Sequence, residues 1–106
     1  MGWVYLMLAG VFEIGFTTSM RYLGWPPKPW PLIAFLVSSS LSFGLLIAAM
    51  RTIPLGTAYA VWTGIGAAGT VLIGIAVYGE AATAARLLLL AVLIAAIVGL
   101  KLVEHG

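Results

Sequence analysis

Four apolar runs, at positions 2–20, 32–50, 55–78 and 86–102, leave this chain few ways to fold. A helix rises 1.5 Å per residue and bilayer hydrocarbon is about 30 Å thick, so each run is long enough to cross a membrane. The expected fold is an all-α integral membrane protein with four transmembrane helices per chain, a single domain over 1–106 with no repeat or linker. Composition agrees: 63% hydrophobic and 8% charged residues, against about 45–50% and 25% in soluble domains. The first run is expected to be a transmembrane helix and not a cleaved signal, because it has no Lys/Arg region before it, Glu13 lies inside it, and three more runs follow.

Several function classes drop out. There is no cysteine, hence no disulfide framework, thiolate nucleophile or thiolate metal site. No Ser/His/Asp set or metal-ligand cluster suggests an enzyme, and no cofactor is expected. The net charge of +2 comes from five Lys and Arg that form no cluster, which disfavours nucleic acid as a partner.

One residue stands out. Glu13 is the only carboxylate of the first run and sits near its middle, where an isolated charge is expensive. A carboxylate at that depth is expected to bind a proton or a cation. Leu6, Ala9, Gly10, Phe16, Thr17 and Met20 share its helical face, a stripe of small, aromatic and hydroxyl groups unlike a lipid-facing one.

The connection 22–31 is dense in proline, with Trp25 and Trp30 suited to the headgroup level. In the second run Ser38, Ser39, Ser40 and Ser42 are the only polar groups. Most such serines bond their own backbone or a neighbouring helix. Ser38 and Ser42 share a face, and either could meet a ligand.

In the third run Tyr59, Trp62, Thr63 and Gly66 recur at i, i+3, i+4 and i+7, a face of aromatic and hydroxyl groups. Gly56, Ala60, Gly64 and Ala68 form a separate ridge for close helix contact. Gly64, Gly66 and Gly69 weaken the helix, so either a hinge or simple close crossing explains them. Glu80 is expected at the membrane surface in a structural role. The fourth run has no polar residue at depth, and its seam Ala91, Ala95 and Gly99 suits an oligomer interface or packing within one subunit. Lys101, Glu104 and His105 are expected in the interface or in water.

With four spans, Arg51 and Lys101 fall on the side of the termini, and Arg21, Lys28 and Arg86 on the other. The positive-inside rule needs a clear excess, and two against three scarcely supplies one. Copies in both orientations would pair about a two-fold axis in the membrane plane. An antiparallel, dual-topology dimer would also shield two copies of Glu13, which would titrate as a coupled set.

Phe12-Glu13, Ser42-Phe43, Ile53-Pro-x-Gly-Thr-Ala-Tyr-Ala-Val-Trp62 and the small-residue fourth run together resemble the small multidrug resistance family of four-helix, proton-coupled cation exporters. The resemblance covers essentially the whole chain. Trp62-Thr-Gly-Ile-Gly-Ala67 and Gly99-Leu-Lys101 are most like the guanidinium-exporter branch. Phe16 departs from it, since that branch usually has Trp there, and Thr17-Thr-x-Met20 looks more like the multidrug branch.

The resemblance implies a multi-pass protein of the inner (plasma) membrane that exchanges protons for a small cation, working as an antiparallel homodimer or with a paired homologous subunit. It also implies that Trp62 or Ser42 orients Glu13 and that Tyr59 gates access. The candidate substrate site is Glu13, Trp62, Tyr59, Phe16, Ser42, Thr17 and Thr63, with Gly64 and Gly66 as the hinge and Ala91, Ala95 and Gly99 as dimer packing. Guanidinium fits, because it is planar, always charged, and able to give a carboxylate two parallel hydrogen bonds. The alternatives are export of aromatic or quaternary ammonium cations, and a proton or cation channel. Trp62→Ala is expected to weaken binding with little loss of stability.

Overall fold

Each apolar run forms one helix in the computed structural model, which describes residues 1–103; Glu104 and His105 lie outside the described residues. The helices are α1 (Gly2–Leu23), α2 (Pro29–Ala49), α3 (Leu55–Tyr78) and α4 (Ala84–Val103). Their 22, 21, 24 and 20 residues correspond to about 30–36 Å of axis, a bilayer's hydrocarbon thickness. All four are apolar enough to span a membrane.

The ends follow local chemistry. Beyond position 20, α1 continues through Arg21 and Tyr22 and stops before Gly24, whose φ is 67°. The charge of Arg21 does not end the helix, because its guanidinium lies 3.7 Å from the centre of the Tyr78 ring. α2 begins at Pro29, earlier than position 32, because the first turn of a helix needs no N–H partners and tolerates Pro29 and Pro31. Gly79 closes α3 in a left-handed conformation with φ 66°, which a residue without Cβ adopts freely. The Thr83 hydroxyl accepts the Arg86 N–H at 3.1 Å and caps α4.

α1 is the hub. Its contact with α2 is the most extensive in the bundle and that with α3 comes next, whereas α2 and α3 barely meet. α4 packs mainly on α3, and its Lys101 ammonium reaches α1, 5.6 Å from the centre of the Trp3 ring. The closed core joins Leu6 and Ala9 of α1, Leu46 and Ala49 of α2, Ile53, and Ala58, Val61 and Trp62 of α3. These come from the first half of α1, the last of α2 and the first of α3, so the core fills the half of the bundle nearest the termini. The chain measures 44 × 35 × 16 Å. It is a slab little thicker than one helix, whose diameter with side chains is about 10–12 Å.

Close approach of α1 to α3 depends on bare backbone. A Cβ at Gly10 would stand 2.8 Å from Cβ of Ile65, a branch point that cannot swing aside. Gly10→Val is expected to lower the unfolding free energy by about 1–3 kcal/mol through overpacking. Denaturant titration in detergent micelles checks this, and an unchanged midpoint would show that the two helices are not tightly apposed there.

Candidate functional site

Glu13 lies mid-way along α1 on the face turned to α3. A Cβ built at Gly66 would overlap its carboxyl group, so the carboxylate rests against α3 at the one side chain that is missing there. Its Oε1 is shut off from solvent and has no hydrogen-bond partner. The salt bridge among the described residues joins Arg86 to Glu80 and leaves Glu13 without a cation. An unpaired buried carboxyl oxygen is a costly arrangement.

Towards the termini a hydrogen-bond chain crosses three helices. Trp62 Nε1–H donates to Ser42 Oγ at 2.9 Å, and Ser42 Oγ–H donates to the Ala9 carbonyl at 2.6 Å. Ser42 is fully buried. A serine here satisfies the indole and takes up a carbonyl on the hub helix, one turn before Glu13. Neither Ser42 nor Trp62 bonds the carboxylate directly; each positions the turn that carries it.

Beyond Glu13 the polar groups are hydroxyls. Thr17 Oγ1 lies 3.0 Å from the carbonyls of Glu13 and Ile14 and 2.8 Å from Thr70 Oγ1. Thr70 Oγ1–H donates to the Gly66 carbonyl at 2.7 Å. The carboxylate thus sits between an indole–hydroxyl node on one side and a hydroxyl pair on the other.

Aromatic rings form a continuous row beside it. Phe16 meets Phe35 edge-on at 5.8 Å and Phe43 at 6.0 Å between centroids. Phe43 meets Trp62 at 5.5 Å, and Trp62 meets Tyr59 at 5.8 Å. Phe16 belongs to this row, whose faces have the quadrupole that attracts cations. The third-helix face is split, however. Trp62 and Gly66 turn into the bundle, whereas Tyr59 is 56% exposed and Thr63 also faces outward.

Other expectations sort as follows. Gly64 meets Ile97 and Ala68 is buried, so the second half of the small-residue ridge receives α4, while Gly56 and Ala60 remain exposed. α3 runs unbroken as a helix through Gly64 and Gly66. Ala91 and Ala95 are exposed, and nothing approaches the position of a Cβ at Gly99; α4 packs on α3 without using that seam. Ser39 bonds the Leu36 carbonyl, the backbone role expected of a membrane serine. Glu80 pairs with Arg86 at 3.0 Å. Phe35, Phe43 and Thr70 join the neighbourhood without having stood out as site residues. Spacing offered a signal for two of them: Thr70 follows Gly66 by four, and Phe35 precedes Ser42 by seven.

One expectation changes. Trp62 is only 8% exposed and belongs to the core, so removing its side chain costs about 3–5 kcal/mol. Trp62→Ala would mix binding with folding. Tyr59, exposed in the same row, is the cleaner probe.

Fold and site together define a multi-pass membrane protein whose spanning helices enclose an unpaired carboxyl oxygen at Glu13. The family profile described as Small Multidrug Resistance protein matches residues 1–93, and the chain belongs to that family of membrane transporters. A protein of Citrobacter freundii named "Guanidinium exporter" is 44% identical over 105 residues, 99% of this chain and 100% of its own length. One of Salmonella typhi with the same name is 43% identical over the same coverage. Another with that name, from Yersinia pseudotuberculosis serotype I (strain IP32953), is 45% identical over 102 residues, 96% of this chain and 98% of its own.

The Trp62–Ser42–Ala9 chain makes a quantitative test. Ser42→Ala strands the buried indole N–H and is expected to destabilise by about 1–3 kcal/mol. Because Trp62→Phe removes the same bond, the double variant should cost less than the two single ones combined, with a coupling of about 0.5–3 kcal/mol. Additive losses in unfolding measurements would show that the bond contributes nothing.

Proposed function

We propose that this chain is a proton-coupled antiporter that exports guanidinium or substituted guanidinium compounds, by alternating access around Glu13, as an antiparallel homodimer. The observation that carries the reading is the Glu13 oxygen, buried at mid-span with no partner of its own. A guanidinium would give it two parallel charge-assisted hydrogen bonds. A proton satisfies the same carboxyl in the cation's absence. One site that holds either but not both couples their movements.

The surroundings suit a planar cation. Trp62, Tyr59 and Phe16 offer ring faces worth about 0.5–2 kcal/mol each, Ser42 holds Trp62 and the Ala9 turn in place, and Thr17 supplies a hydroxyl. The three relatives at 43–45% identity carry guanidinium export in their names, which favours this substrate over bulky aromatic cations. Gly64 and Gly66 are the positions at which α3 can shift against its neighbours, and conformational exchange between two arrangements opens the site to one side at a time.

The dimer reading rests on what one chain leaves uncovered. Tyr59 and Thr63 are exposed, as are Ala91 and Ala95, and nothing stands within 4 Å of a Cβ at Gly99. Small residues at such spacing let helices of two subunits approach closely. The near-even charge count between the two sides allows both orientations to insert.

In liposomes, guanidinium is expected to drive saturable, reversible proton movement by the chain alone, with a bulky quaternary ammonium much less effective. Glu13→Gln is expected to abolish that coupling while the protein stays folded. Proton movement by the Glu13→Gln variant on adding substrate would overturn the mechanism, and currents at channel rates would favour a pore. Quaternary ammonium preferred to guanidinium would move the substrate to the multidrug class. Silence with both would indicate a required second subunit. Tyr59→Ala is expected to weaken guanidinium binding up to about tenfold, one cation–π contact, with little change in stability.

A further inference from the structure

Between α3 and α4 runs a groove of about 240 Å³, lined by Ala67 and Val71 of α3 and by Arg86, Leu89, Leu90 and Leu93 of α4. The α4 residues recur at i, i+3, i+4 and i+7, one stripe of a helix. Ala67 and Val71 stand one turn apart on α3. The groove exists because the two helices present side chains of unequal size. α3 offers only a methyl group at Ala67, and the leucines of α4 stand around it. From Arg86 to Leu93 the stripe descends about 10 Å into the apolar layer. Its walls are hydrocarbon and its head is a guanidinium.

Arg86 belongs to the first turn of α4, at the end of the bundle where exposed Trp25 and Trp30 mark the headgroup level. It is half-buried. Its Nη1 donates to the Ala81 carbonyl at 2.9 Å and its Nη2 to Glu80 Oε1 at 3.0 Å. A guanidinium has more N–H donors than these two contacts use. Glu80 turns elsewhere: its carboxyl lies over Gly74, where a Cβ would stand 2.6 Å from it, and it lines a separate cavity between α1 and α3. The groove therefore has a cation at its head and no carboxylate in its lining. The same end of the chain carries Arg21, Lys28 and Arg86 against Glu80, three basic groups to one acidic.

An empty furrow forfeits the dispersion contacts of its walls, so in a bilayer hydrocarbon fills it. The charge at its head selects the molecule. An acyl chain lying along Leu89, Leu90 and Leu93 places a headgroup phosphate at Arg86, and basic groups between spanning helices hold anionic headgroups in this way. The larger cavity, about 320 Å³ between α1, α3 and α4, has no charged group in its lining and offers no such selection. The other molecule that could cover the groove is a second subunit. By the helical period, however, the seam Ala91, Ala95 and Gly99 lies on the far side of α4 from the Arg86 stripe. Pairing through that seam leaves the groove open to lipid.

We propose that the groove at Arg86 binds an anionic phospholipid, with one acyl chain between α3 and α4 and the phosphate on the Arg86 guanidinium. Leu90 is the buried residue of α4, so this helix has little packing of its own, and the lipid extends its contact with α3. In an antiparallel pair each leaflet would hold one such lipid.

The test is a titration of the purified full chain with phosphatidylglycerol in a mild detergent, read by native mass spectrometry. Saturable binding of one lipid per chain is expected. Phosphatidylcholine, whose phosphate is balanced by its own cation, is expected to bind about fivefold more weakly, the weight of one charge at a membrane surface. Arg86→Gln is expected to lower phosphatidylglycerol affinity by a similar factor. Glu80→Gln breaks the same ion pair but keeps the cation, and is expected to bind phosphatidylglycerol at least as tightly as the wild type. Loss of a surface ion pair changes stability little, so both variants stay folded. Ala67→Leu fills the furrow at an exposed position and is expected to weaken both lipids several-fold. Equal affinity of the wild type for the two lipids would overturn the proposal, as would wild-type affinity in Arg86→Gln or in Ala67→Leu. Equal losses in Arg86→Gln and Glu80→Gln would show that the ion pair shapes the loop and that the cation binds no phosphate. Dissociation of the dimer by Ala67→Leu would assign the groove to a second copy of the chain and overturn the lipid site.

Discussion

A carboxyl group held against bare helix backbone is the contact on which the rest of this bundle depends. Glu13 lies where a side chain at position 66 would stand, so α1 and α3 approach closely at mid-span. One carboxyl oxygen is thereby shut off from its surroundings without being given a partner. A buried ion of this kind would normally be paired or replaced. Leaving that oxygen unpaired is what the proposed exchange of proton and cation at Glu13 would require.

Around that contact the bundle is asymmetric along its length. The half nearest the termini is dry and closed, with Ser42 linking an indole to a carbonyl across three helices. The other half is looser, with hydroxyls and a cavity between α1 and α3. The difference follows from side-chain choice. Leu6, Ala9 and Val61 interlock on one side, whereas Thr17, Thr18 and Thr70 leave space and polar atoms on the other. Glu13 lies at the boundary, one turn beyond the Ala9 carbonyl that Ser42 holds.

Much of this was legible from sequence because membrane insertion restricts the options so severely. Spans of about 20 apolar residues specify helices, and a lone mid-span carboxylate specifies the place to look. The importance of Ser42 and Trp62 was legible from spacing and motif, but their bond to each other was not, since helical periodicity says which residues share a face and nothing about which faces meet. The same limit explains Tyr59 and Thr63. They share the period of Trp62 and Gly66, yet a face of i, i+3, i+4 and i+7 is wide enough for one edge to enter the bundle and the other to remain outside. The helices α1 and α2 extend a few residues beyond their apolar runs. In the structure Arg21 finds an aromatic face and Pro29 falls in a first turn.

The position of Gly66 ties the two halves together. It stands one turn after Trp62 and one turn before Thr70, whose hydroxyl bonds the Gly66 carbonyl itself. A displacement of α3 relative to α1 that loosened the Glu13 carboxyl would therefore act on the Trp62–Ser42 bond and the Thr17–Thr70 pair at the same time. Packed interfaces of this sort switch between discrete arrangements and do not deform gradually. A ligand that moved the Glu13 carboxyl off Gly66 would thus be felt one turn away in each direction, at Trp62 and at Thr70 of the same helix.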